Sequence, residues 1–141
     1  MATTKKPRRT AERILEVSLE YVHLPMKFHK QAFAAALASE AAARQGKFWL
    51  YHDELMKQRG DLDGKWEQAA KAVGLDLERF RADLASPELR QRIERSRQVG
   101  QNLGLDGVPV LYLNGRRVGG LLSVDELTQL IKLERRKLER P

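Results

Sequence analysis

The chain has 141 residues, 42% of them hydrophobic, a net charge of +7 and no cysteine. That length suits one domain able to bury its own core, and the lack of cysteine excludes disulfides, thiolate metal sites and thiol nucleophiles from its own chemistry. No stretch approaches the roughly eighteen apolar residues of a membrane span and the N-terminal MATTKKPRRTAER lacks a signal's apolar stretch, so the sequence reads as soluble and cytoplasmic, without a membrane partner.

Residues 1–13 place Lys5, Lys6, Arg8, Arg9 and Arg13 against Glu12 and read as a basic disordered tail. From Ile14 to Leu24 the pattern alternates as in a strand, with Val17, Leu19 and Tyr21 on one face and Glu16, Ser18 and Glu20 on the other. Pro25 ends it. An alanine-rich run from Phe28 to Gln45 reads as a helix whose small side chains let neighbours approach, and Gly46 closes it. Phe48 to Gln58 is a second, aromatic-rich helix, in which Phe48, Trp49 and Tyr51 read as packing anchors. Lys65 to Val73 is a third, closed by Gly74, and Asp76 caps a short one through Leu84. Ser86-Pro87-Glu88 opens a helix to about Leu103 by combining an N-cap serine, an N1 proline and an early acid.

Gly104 and Gly107 then punctuate the chain, Pro109 pins the entry to a strand, and Val110 to Leu113 are β-formers. Asn114-Gly115 is a two-residue hairpin signal, because both central positions of a type I′ turn need positive φ. Ser123 and Glu126 form a capping box for a last helix to about Lys137. Residues 132–141 set Lys132, Arg135, Arg136, Lys137 and Arg140 against Glu134 and Glu139, so the charge sits at the two ends and the body between them is neutral.

Chemical constellations are sparse. His23, His29, His52 and Asp53 do not form a metal site by spacing, since only His52 and Asp53 adjoin and neighbouring helical side chains diverge by about 100°. His23 and His29, where a strand hands over to a helix, read as hydrogen-bonding structural groups. Ser86 and Ser123 are caps, no GxSxG elbow occurs, and Gly100, Gly104, Gly107 and Gly119-Gly120 do not make a phosphate-cradling loop. No catalytic residue, metal or cofactor is therefore expected. The basic ends attract polyanions by counterion release, though no aromatic residues are interleaved with them for base stacking.

Three ordered runs, HLPMKFHKQAF (His23 to Phe33), QGKFWLYHDEL (Gln45 to Leu55) and LGLDGVPVLYLNGRRVGG (Leu103 to Gly120), resemble DsbA-like thioredoxin-fold domains. The resemblance implies an α/β fold of order β-α-α-α-α-α-β-β-α over residues 14–137, with a helical insertion at about 28–103. It also implies that Pro109 is the cis-proline of a loop, Gly107, Val108, Pro109 and Val110, that faces the active site and pairs with an extended substrate peptide. Family domains open with a strand and a helix carrying Cys-x-x-Cys, whose thiolate the helix N-terminus stabilises. Residues 1–13 are too short to supply that unit, so an incomplete fold is expected, with a gap between the strand at 14–24 and the strand after Pro109.

Three functions follow as expectations. The first is a redox-inactive domain that binds protein or peptide, or self-assembles as a dimer, because an uncovered strand edge is costly and two-fold pairing covers it. The second is the remainder of a thiol:disulfide oxidoreductase whose Cys-x-x-Cys unit is truncated or comes from a partner. The third is nucleic-acid or other polyanion binding through the termini. The first is favoured, since thiol-disulfide exchange needs an attacking thiolate.

Overall fold

The computed structural model describes residues 17–58, 62–119 and 122–138. One compact unit runs from Val22 to Gly104, and the described residues 17–21 and 105–138 belong to a second.

The first unit consists of α1 (Ala32–Arg44), α2 (Phe48–Lys57), α3 (Lys65–Ala72), α4 (Leu77–Leu84) and α5 (Pro87–Asn102). Helix α1 packs against all four others, and α3 also touches α2 and α4. An ordinary surface helix keeps one polar face, but every residue of α1 from Ala36 to Ala42 is buried. Alanine makes this feasible, because a methyl side chain keeps neighbouring axes close on several sides. The space between the outer helices is filled by Tyr51, Phe80 and Ile93, the largest fully buried side chains, with the Tyr51 and Phe80 rings 5.6 Å apart. Each such side chain contributes about 1.5–3 kcal/mol by leaving water. The Tyr51 hydroxyl donates to the Trp66 carbonyl at 3.2 Å, and burial raises its pKa above the usual tyrosine value.

Caps and cross-ties set the helix limits. Helix α1 starts at Ala32 rather than Phe28, because residues 26–32 turn first: the His29 amide donates to Met26 (3.1 Å) and the Ala32 amide to His29 (3.0 Å). The Gln31 side chain does not cap the helix. It accepts from the Leu62 amide at 3.0 Å and donates to Asp63 at 3.2 Å. Asp76 caps α4 by accepting from the Arg79 amide (3.0 Å), and Ser86 caps α5 by accepting from the Leu89 amide (3.4 Å). After α3, Gly74 takes φ +69°, and Lys47 Nζ donates to the carbonyls of Val73 (3.1 Å) and Gly74 (2.8 Å), which have no partner within the helix. Arg44 ties α1 to α4 and α5 through Asp83 (2.7 Å) and Glu88 (2.6 Å).

The second unit holds an antiparallel hairpin, β1 (Leu111–Leu113) and β2 (Arg116–Val118), followed by α6 (Val124–Leu138). Asn114 and Gly115 have φ +48° and +76°, as the primed turn requires. The capping box of α6 is complete: the Ser123 amide donates to Glu126 at 2.7 Å and the Glu126 amide to Ser123 Oγ at 3.2 Å. Leu127 and Ile131 are its buried residues.

The strand expected at 14–24 is a correction. Ile14 to Glu16 lie outside the described residues, and residues 17–24 form no strand. The alternation itself persists, with Val17, Leu19 and Tyr21 half-buried and Ser18 and Glu20 exposed. Period-two patterning decides which face is wet; a ladder also needs a partner at hydrogen-bonding distance. Among the described residues the sheet contains β1 and β2 alone, so the order there is five helices, two strands and a helix, in a mostly helical, incomplete α/β fold. The basic tail expected at 1–13 lies outside the described residues, as do residues 139–141. No helix among the described residues is long and apolar enough to cross a membrane.

Candidate peptide-binding loop

The loop from Asp106 to Val110 leads directly into β1. Gly107 and Val110 are half-buried, Pro109 is exposed, Val108 is 58% exposed, and the peptide bond between Val108 and Pro109 is cis. An apolar side chain this open beside a strand entrance is available for contact.

The hairpin register fixes which backbone groups are free. Leu111 faces Val118, Tyr112 faces Arg117 and Leu113 faces Arg116. In a hairpin closed by a two-residue turn, the pair next to the turn exchanges hydrogen bonds and alternate pairs do not. The Leu113–Arg116 and Leu111–Val118 pairs are therefore bonded across the hairpin, and the N–H and C=O of Tyr112 point to the other edge of β1. Among the described residues no strand pairs with that edge.

The two faces of the hairpin differ. Arg116 pairs with Glu134, which also accepts from Lys137 at 2.8 Å. Lys137 first, then Arg116, holds the Glu134 carboxyl below the usual carboxylate range. On the opposite face Tyr112 is 41% exposed, and Arg117 across from it is exposed with no ion pair among the described residues. Gly107, Val108, Pro109 and Val110 were singled out from the sequence; Tyr112 and Arg117 were not, although alternation within LYLNGRRV places them on one face.

The polar residues of the helical unit are committed to its architecture. His23 Nε2 lies 3.2 Å from Glu40 Oε1, and Arg92 Nε lies 3.5 Å from the other oxygen. The His23 hydrogen bond holds the Glu40 carboxyl below its usual range despite the opposing effect of burial, with Arg92 and Arg44 adding to it. His52 is buried, 3.3 Å from Asp53, with the Phe48 ring stacked on it and Trp49 edge-on. His29 is exposed and stacks at a tilt on Phe28. His23 and His52 thus lie on the same Phe48 ring, which His23 meets edge-on, whereas His29 lies against Phe28. Glu40, an acid within an apolar run, was the sequence signal for the buried pair.

The comparisons with known proteins agree with the fold. A family model described as DSBA-like thioredoxin domain matches residues 5–132. A thioredoxin-like oxidoreductase from Silicibacter pomeroyi DSS-3 has a similar structure, with a TM-score of 0.82 and 27% identity over 95% of this chain and 78% of that one. The Na(+)/H(+) antiporter NhaA of Herminiimonas arsenicoxydans is 35% identical over 119 residues, covering 84% of this chain and 19% of the antiporter. NhaA 3 of Salinispora tropica is 36% identical over 118 residues, 81% of this chain and 18% of that protein. The chain therefore spans about a fifth of the length of the curated relatives it matches. The match along nearly the whole chain, together with the helical unit, the hairpin and the terminal helix, identifies it as a member of the DSBA-like thioredoxin domain family.

Proposed function

We propose that this domain binds an extended peptide along the open edge of β1, with Val108 and Pro109 at the entrance, and performs no redox step of its own. Thiol-disulfide exchange begins with attack by a thiolate, and the chain contains no cysteine. The observation that carries the binding reading is the outward direction of the Tyr112 backbone groups on an edge that no described strand covers. An added strand satisfies these groups by β-augmentation, with main-chain hydrogen bonds supplying affinity. Amide NMR titration with extended peptides tests it: shifts concentrated at Val108, Val110 and Tyr112 support the reading, and shifts confined to residues 32–102 or absent altogether overturn it. A second copy of the chain is the competing occupant. Light scattering at micromolar concentration separates the two, because a monomeric mass removes that competitor.

A second reading comes from the relatives. Proteins named as Na(+)/H(+) antiporters share this segment as a minor part of their length, which favours a binding module that works alongside a transporter. Reading the coding DNA on both sides of the segment tests this. Adjoining membrane-spanning sequence supports it; an adjoining strand and helix with Cys-x-x-Cys replaces it with a thiol:disulfide oxidoreductase.

A further inference from the structure

We infer that the segment taken up by the β1 edge is an acidic peptide, one carrying carboxylates at alternate positions. This rests on the edge-binding reading above and names its ligand class. A strand added beside β1 projects every second side chain onto the face that holds Tyr112 and Arg117. From Val110 to Gly119 the hairpin contains two arginines and no acidic residue. Arg116 is occupied by Glu134 on the opposite face, which leaves Arg117 as the open cation of the wet face.

The Tyr112–Arg117 pair is of the non-hydrogen-bonded kind, in which facing Cβ atoms lie about 4.5–5.5 Å apart. The long Arg117 side chain is therefore within reach of the Tyr112 ring and, beyond it, of a carboxylate bound at the open edge. Adjacent strands are about 4.8 Å apart, so an added strand runs about 10 Å from the β2 backbone; that exceeds the ~8 Å Debye length at physiological ionic strength, so the preference depends on the guanidinium reaching a carboxylate directly across Tyr112. A carboxylate at alternate positions meets the guanidinium across the tyrosine, and a lysine there meets like charge. Tyr112 adds a hydroxyl that donates to the same carboxylate.

The test is fluorescence anisotropy with three labelled peptides that alternate threonine with glutamate, glutamine or lysine, plus a backbone N-methylated Thr-Glu peptide unable to pair. Thr-Glu is expected to bind at least about threefold more tightly than Thr-Gln, with Thr-Lys weakest and the N-methylated peptide not binding. Arg117→Gln is expected to collapse the preference for Thr-Glu over Thr-Gln, and Arg117→Glu to invert the order so that Thr-Lys binds best. Equal binding of the three peptides overturns the acidic preference while leaving the edge reading intact. A preference that survives in Arg117→Gln also overturns it, because the charge read is then elsewhere. Failure of all three peptides to bind overturns both.

Discussion

The helical unit and the hairpin unit divide the work of the chain unequally. Among the described residues, the first holds Ala36 to Ala42, Tyr51, Leu55, Phe80, Leu89 and Ile93 in its core, whereas the second buries only Leu127 and Ile131 among its apolar side chains. Two of the first unit's buried acids have basic partners, Glu40 in His23 and Asp83 in Arg44. The second leaves Val108, Tyr112 and Arg117 exposed. Stability is thus concentrated where no open binding surface is proposed, and the candidate site sits on a lightly packed hairpin. Loops and edges positioned by a rigid scaffold commonly carry function, since change there costs little in packing.

That contrast can be broken or sharpened by substitution. Phe80→Ala empties a fully buried site and is expected to cost about 3–5 kcal/mol in urea unfolding; a loss below about 1 kcal/mol would place the core elsewhere. Glu40→Gln comes next, at about 1.5–3 kcal/mol, because it removes the charged partner of His23. Its pH dependence has a defined sign. The Glu40 carboxyl is held below its ordinary value of 4.5, so the stability it lends is present above that pH and lost as pH falls through the lowered folded value. Urea midpoints across the acid range should show a loss in the wild type that is smaller in Glu40→Gln; parallel curves would reject the assignment.

Ser123→Ala removes one side of the α6 capping box and is expected to cost about 1 kcal/mol, with the largest gain in amide exchange in the first turn of α6. Val108→Asp stands at the far end. Exposed and outside the core, it is expected to change stability by no more than about 0.5 kcal/mol, yet to weaken peptide binding measured by anisotropy. A large stability loss from Val108→Asp would mean the loop is scaffold, and the contrast between the units would fall.

The parts of this fold that were legible in the sequence are those decided within a few residues. Asn114-Gly115 takes the positive φ its composition demands, and Asp76, Ser86 and Ser123 accept from amides three residues later, as their positions indicated. The fold family was carried by three ordered runs. The strand at 14–24 was not reliable, because its alternation reports which side meets water and says nothing of a neighbouring strand. The start of α1 was read four residues early, because Pro25 is followed by turns whose only local sign is the proline itself. The Glu40–His23 and Arg44–Asp83 pairs join residues far apart in sequence, so no local pattern names the partner. The loop at Gly107 to Val110 stands out in the sequence by its glycine and proline, whereas the pairing of Tyr112 with Arg117 follows from the hairpin register.

The burial of α1 along its middle also has a kinetic consequence. With the described outer helices all packed against it, release of a single neighbour does not free its amides to exchange on their own. Hydrogen exchange should therefore find Ala36 to Ala42 among the slowest amides, opening at close to one common free energy, that of the whole helical unit. The hairpin amides should open earlier and independently. In such a chain the slow-exchanging centre keeps its order while the β1 edge opens and closes many times.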